Sequence, residues 1–225
     1  MSTFMAIDPS TGHEFAELPE TTAEQVAEMV EDARRALDVE HEWRVPHTRA
    51  RALSALARIV DAEAQALADL ETRDTGKPVS QAKADVTATV RYLDYYAGSI
   101  ERLEGRTIPL GPQALDYTLR EPWGVCAQII PWNYPLQVAA RCAAPALAAG
   151  NAVILKPSEL ASLTPLRLAE FAETAGVPRG MIQVATGAGE TGAALVAHLG
   201  VDHVTFVGSA ETGAQVAAAC ARRLA

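Results

Sequence analysis

Beyond Pro122 the sequence alternates short apolar runs with longer stretches of helical period. The runs 124–130, 151–155, 181–185 and 202–207 read as strands, and 135–149, 164–176, 190–199 and 210–223 as helices. Thr164-Pro165 offers an N-cap and a proline at the first helical position of one of them. Strand–helix alternation at this spacing predicts right-handed βαβ units and a parallel sheet with flanking helices, an α/β Rossmann-like architecture.

The first half has a different texture. "STFMAID" and "HEFAELP" flank Pro9–Gly12 and read as a small hairpin. A helix opens at Thr21, with Glu24 at capping-box spacing and Val26, Val30, Ala33 and Leu37 on one face. A longer helix, from about Thr48 to Glu71, carries Leu53, Leu56, Val60, Ala64 and Leu67 at the same period and ends at "DTGKP". A third places Val86, Val90, Leu93, Ala97 and Ile100 together, and "RTIPLGPQALDYTLREP" reads as two strands around a Gly-Pro turn. The expected division is therefore 1–122, helices plus a hairpin at 107–121, packed on a cofactor-binding region at 123–225.

Composition narrows the function classes. With 49% apolar and 21% charged residues, the 225-residue chain has an ordinary globular composition and enough length for a real core. A formal charge of −9 without a basic run argues against nucleic acid. The most apolar region, 136–155, is interrupted by Arg141, Pro145, Gly150 and Asn151, so no membrane span is expected. "MSTFMAIDPSTG" lacks the basic start and apolar core of a signal peptide. Cys126, Cys142 and Cys220, and the five scattered histidines, show no metal-ligand spacing. A cytoplasmic protein without a metal is the expectation.

Two glycine-rich turns compete for a phosphate. "GAGETG", Gly187 to Gly192, is a literal G-x-G-x-x-G between a strand and a helix, but the next strand is followed by Gly208-Ser209 and not by the acidic ribose ligand of a Rossmann site. "GSAETG", Gly208 to Gly213, joins a strand to a helix whose N-terminus favours anions. Either could instead be a plain tight turn. In "LKPSE", Lys156 and Glu159 lie past a strand's C-terminal end, where open α/β sheets bind ligands; a solvated charge pair is the alternative.

Taken in order, Pro131-Trp132-Asn133-Tyr134-Pro135, "APALAAGNAVILKPSE", "GVPRGMIQVATGAG" and "VTFVGSAETG" resemble the aldehyde dehydrogenase superfamily. "DPSTG" and "DTGKP" extend the resemblance over essentially the whole chain. It implies NAD, rather than NADP, as cofactor and a small-molecule aldehyde as substrate, oxidised to the acid through a thiohemiacetal and a thioester. It also implies a homo-dimer or homo-tetramer for the full-length form, with the hairpin at 107–121 joining an assembly sheet.

Residue by residue, the resemblance makes Asn133 the oxyanion-hole amide, held between prolines that restrict its backbone, although Asn133 could also cap the helix beginning near Pro135. It makes Ile129, Pro131 and Trp132 walls of the nicotinamide path, and Lys156 and Glu159 the adenosine-ribose contacts. Gly189 falls near the adenine edge, and Gly208-Ser209 at the pyrophosphate. The family's nucleophilic cysteine and its glutamate lie downstream of the phosphate-binding helix, so the chain is expected to be the N-terminal, cofactor-binding portion, inactive alone. The three cysteines present read as apolar fillers. Arg141-Cys142 stands where many relatives carry Trp-Lys, which leaves the substrate open. A CoA-acylating semialdehyde dehydrogenase and a non-catalytic nucleotide-binding or assembly module are the competing readings.

Overall fold

The computed structural model describes residues 2–222. The first hairpin pairs β1 (Thr3–Asp8) with β2 (His13–Pro19) in antiparallel register. Helix α1 (Ala23–Val39) follows with a capping box one residue later than expected. Thr22, not Thr21, accepts from the Gln25 backbone at 3.3 Å, and its own N–H donates to Gln25 Oε1 at 2.9 Å. Thr21 is taken by tertiary contacts: its N–H donates to the Thr186 carbonyl at 2.8 Å, and its carbonyl accepts from the Thr191 hydroxyl at 2.9 Å. The long helix expected from Thr48 to Glu71 is two, α2 (Pro46–Ala62) and α3 (Ala64–Thr75), broken at Glu63. Nothing in the side-chain contacts explains that break. Gly76, in the left-handed region at φ 75, stops α3, and α4 (Val79–Ala97) returns along it.

The next hairpin is shorter than the sequence suggested. β3 (Thr107–Ile108) and β4 (Asp116–Tyr117) pair over two residues each. The segment around them exposes Leu103, Leu110, Leu115, Tyr117, Leu119 and Trp123.

The parallel sheet is as expected, and its order is now explicit. β5 (Val125–Ile129), β6 (Ala152–Lys156), β7 (Ile182–Val184) and β8 (His203–Phe206) lie in the order β7-β6-β5-β8. The intervening helices are α5 (Pro135–Ala148), α6 (Leu163–Thr174), α7 (Gly189–Ala197) and α8 (Ala210–Ala221). Chain order runs outward from β5 through β7, then jumps back to place β8 on β5's other side, creating a switch point between β5 and β8.

The first half packs directly on this sheet. α1 lies against β5, β6 and α7, while α2 and α4 pack on α5. One apolar cluster therefore runs from Val26, Leu53 and Leu93 to Leu136, Ile154 and Leu168. Polar ties cross the same seam. Arg34 reaches both oxygens of Asp202 (2.6 and 2.7 Å), and Asp202 also accepts from the Val125 N–H. Arg49, buried, donates to the Ala148 carbonyl at the end of α5 and to the carbonyls of Trp43 and Arg44.

Candidate functional site

The four strands β5 to β8 run parallel, so the turns leaving them gather at one end of their sheet. Register places Ile129 beside both Lys156 and Phe206, the last or near-last residues of their strands. Just beyond stand Pro131–Asn133 after β5, Glu159 after β6, Gly189 after β7 and Gly208-Ser209 after β8. Every site residue proposed from the sequence thus lies at the C-terminal edge of the sheet or on the loop and helix start that follow it. A Cβ added to Gly192 of α7 would lie 3.7 Å from Ile129 Cδ1 and 3.8 Å from Lys156 Cδ, so the first turn of α7 packs against the ends of β5 and β6. A cleft of about 970 Å³ opens at the opposite end of the strands, by Gly124 and Asn151, away from this cluster.

Lys156 is the most constrained member. Its side chain is buried, and its ammonium lies 3.7 Å from the half-exposed Glu159 carboxylate. Burial pulls its pKa below the ordinary lysine value, an effect that the Glu159 charge opposes. An ammonium stripped of water beside an exposed acceptor suits a ligand carrying adjacent hydroxyls, since one group donates and the other accepts.

The remaining contacts divide between the two glycine loops. Gly189 opens α7 in an exposed position, and a side chain there would meet nothing within 4 Å. The space over that turn is free for a ligand. At Gly208 the requirement is internal: a Cβ would come within 2.5 Å of the Phe206 ring. Ser209 is the N-cap of α8 and accepts from the Thr212 N–H at 3.2 Å. The other first-turn amides of α8 remain an anion-attracting end.

Asn133 is exposed, between an exposed Trp132 and a half-buried Tyr134. It does not cap α5. The N-cap is Tyr134, whose side chain makes no capping bond. The acceptor is supplied from a distance instead: the Leu136 N–H donates to Glu71 Oε2 on α3, at 3.2 Å. Thr164, expected to cap α6, lies inside that helix, and its hydroxyl donates to the same Glu71 oxygen at 2.8 Å. Glu71 was not singled out from the sequence. It stood there only as the end of the long helix, and its place one turn after Leu67, on the apolar face, was the only available signal.

Burial raises the pKa of two of the three thiols. Burial first, and the Asp202 charge second, push Cys126 up to about 12. Cys142 is also raised, by burial, with Arg141 opposing. Among the described residues no group of histidines, cysteines and acids could hold a metal ion, and no helix is long and apolar enough to cross a membrane.

Comparison with known proteins agrees with this fold. Residues 1–225 match the aldehyde dehydrogenase family. Hydroxyisobutyraldehyde dehydrogenase of Mycolicibacterium austroafricanum is 45% identical over 219 residues, covering 96% of this chain and 43% of the relative. The NAD+ complex of an aldehyde dehydrogenase from Bacillus cereus superposes with a TM-score of 0.96 at 36% identity, over 99% of this chain and 46% of that one. An NAD-dependent aldehyde dehydrogenase from Sinorhizobium meliloti gives 0.95 at 36% identity, over 98% and 45%. The chain spans less than half the length of each of these relatives. By sequence over its whole length, and by the fold of its described residues, the chain belongs to the aldehyde dehydrogenase family.

Proposed function

We propose that this chain is the cofactor-binding portion of an NAD-dependent aldehyde dehydrogenase, with residues 1–122 as helices and assembly hairpin and 123–225 as the NAD-binding region. The observation that carries the proposal is the meeting of Asn133, Lys156, Glu159, Gly189 and Ser209 at one end of a single sheet. Lys156 and Glu159 would hold the adenosine ribose, Gly189 would leave room for the adenine edge, and Gly208-Ser209 with the α8 N-terminus would receive the pyrophosphate. Ile129, Pro131 and Trp132 would wall the nicotinamide. Bound NAD supplies the hydride acceptor. Asn133 would donate its amide hydrogen to the oxygen of an aldehyde as negative charge develops there, a contribution of about 10²–10³ in rate for a single donor.

The oxidation also needs a thiolate, and with a pKa of about 12 Cys126 is ionised in only about one molecule in 10⁵ at pH 7. We therefore propose that the chain binds cofactor but does not turn over aldehyde alone. Titrating the 225-residue chain with NAD while following tryptophan fluorescence tests the assignment. Saturable quenching is expected, weakened about 10- to 100-fold by Lys156→Met, the loss of a charge-assisted hydrogen bond. A folded chain with no saturable NAD binding, or with binding indifferent to Lys156→Met, would refute it.

A further inference from the structure

The "DTGKP" stretch, Asp74 to Pro78, has no part in the proposed cofactor site, yet its surroundings concentrate buried charge. Glu71 is 0% exposed and Asp74 3%. Lys77 Nζ donates to Glu71 Oε1 at 2.8 Å and to Asp85 Oδ2 at 2.7 Å. Buried ion networks are weak sources of stability, because desolvation offsets most of the attraction. Their contacts are the better guide to what they do.

One oxygen of Glu71 touches two helices. Glu71 Oε2 accepts from the Leu136 N–H in the first turn of α5 and from the Thr164 hydroxyl in the first turn of α6. Asp74 Oδ2 adds the Leu163 N–H, also on α6, at 3.2 Å. Neither Tyr134 nor Ser162, the N-caps of these helices, makes a side-chain capping bond. The α3 carboxylates occupy that role for both, where the positive helix ends favour them. The same neighbourhood grips Tyr134 directly. Lys77 Nζ lies 4.8 Å from its ring centroid, and Gln81 Nε2 donates to its hydroxyl at 3.1 Å. α5 begins two residues after Asn133, and α6 begins four after Glu159.

We propose that Glu71, its charge balanced by Lys77, is a positioning residue that couples the two ligand loops. Ligand on the Lys156–Glu159 loop firms the start of α6, and the path Thr164–Glu71–Leu136 carries that constraint to the segment holding Asn133. The coupling depends on the proposed assignment of these loops to ribose and oxyanion. The holding of both loops by Glu71 does not.

Hydrogen exchange of the 225-residue chain, read over residues 130–137 and 157–164, separates these statements. Without ligand, Glu71→Gln is expected to speed exchange about three- to tenfold in both segments, the worth of a hydrogen bond, and Thr164→Val in 157–164 alone. AMP is the coupling probe, because it carries the adenosine ribose and no nicotinamide. It should slow exchange in 130–137 of the parent chain, but not in Thr164→Val, which still binds AMP within about threefold. Unchanged exchange at 130–137 in Glu71→Gln, or AMP protection there that survives Thr164→Val, would overturn the proposal. If AMP does not bind, the ribose assignment falls, and the ligand-free comparison still decides whether Glu71 holds both loops. Should Glu71→Gln not fold, the milder Thr164→Val carries the test through AMP transmission.

Discussion

Asp74 is a buried acid whose protonation should be visible in the stability of the whole chain. It is 3% exposed, sits one helical turn from Glu71, and has one carboxylate oxygen, Oδ1, without a hydrogen-bond partner. Desolvation chiefly, with repulsion from Glu71 behind it, raises its pKa from 3.8 to about 6, although the Leu163 N–H pulls the other way. A difference of about 2 units corresponds to about 3 kcal/mol at roughly 1.4 kcal/mol per unit. The sign follows from which state holds the proton. Between about pH 4 and pH 6 the folded chain keeps a proton that the unfolded chain has released. This contribution to stability is complete below the unfolded value and is lost as pH rises through about 6.

Asp74→Asn removes the ionisation and keeps an oxygen for Leu163. Against the parent chain the variant should be more stable by about 1 kcal/mol at pH 4.5, where the unfolded parent is already largely ionised, and by about 3 kcal/mol at pH 7.5, where the folded parent carries a buried charge. Urea unfolding at both pH values, followed by tryptophan fluorescence, measures the difference, and groups common to both proteins cancel. A stability gap that does not change with pH, or a variant weaker at pH 7.5, would refute a raised Asp74 pKa.

Glu159→Gln should narrow the preference for NAD over NADP by about tenfold in paired titrations, because a carboxylate beside the ribose repels a 2′-phosphate and this one is partly screened. Equal binding of both cofactors by the parent chain would sink the Glu159 assignment. Gly208→Ala should cost about 1–3 kcal/mol in thermal or urea unfolding, since its Cβ meets the Phe206 ring, whereas Gly189→Ala should leave stability unchanged and weaken NAD binding. The apolar side chains bared between Leu103 and Trp123, beside a two-residue strand pair, should drive self-association. Light scattering after size exclusion would contradict this by finding a monomer at micromolar concentration.

Much of this molecule is local and was legible as such. Each βα unit is written in consecutive residues, so the four strands and the helices between them were placed within a residue or two. The ligand loops inherit that legibility. The family resemblance nominated Asn133, Lys156, Glu159, Gly189 and Ser209, and parallel strands, which deliver their C-terminal turns to one edge whatever their order, bring them to the same end of the sheet.

Tertiary structure decided what depends on partners distant in the chain. The order β7-β6-β5-β8, with β8 returning to β5, has no local signature. Thr21 yields the cap of α1 to Thr22 because Thr186 and Thr191 claim its backbone. Thr164 and Leu136 turn to Glu71, 93 and 65 residues away, for the acceptor their own helix ends do not provide. Helix ends must satisfy their first amides, but any acceptor within about 3 Å serves, and only packing determines which one arrives. Periodicity marked the face of α3 that would be buried. It could not show that a carboxylate on that face would hold two loops at once.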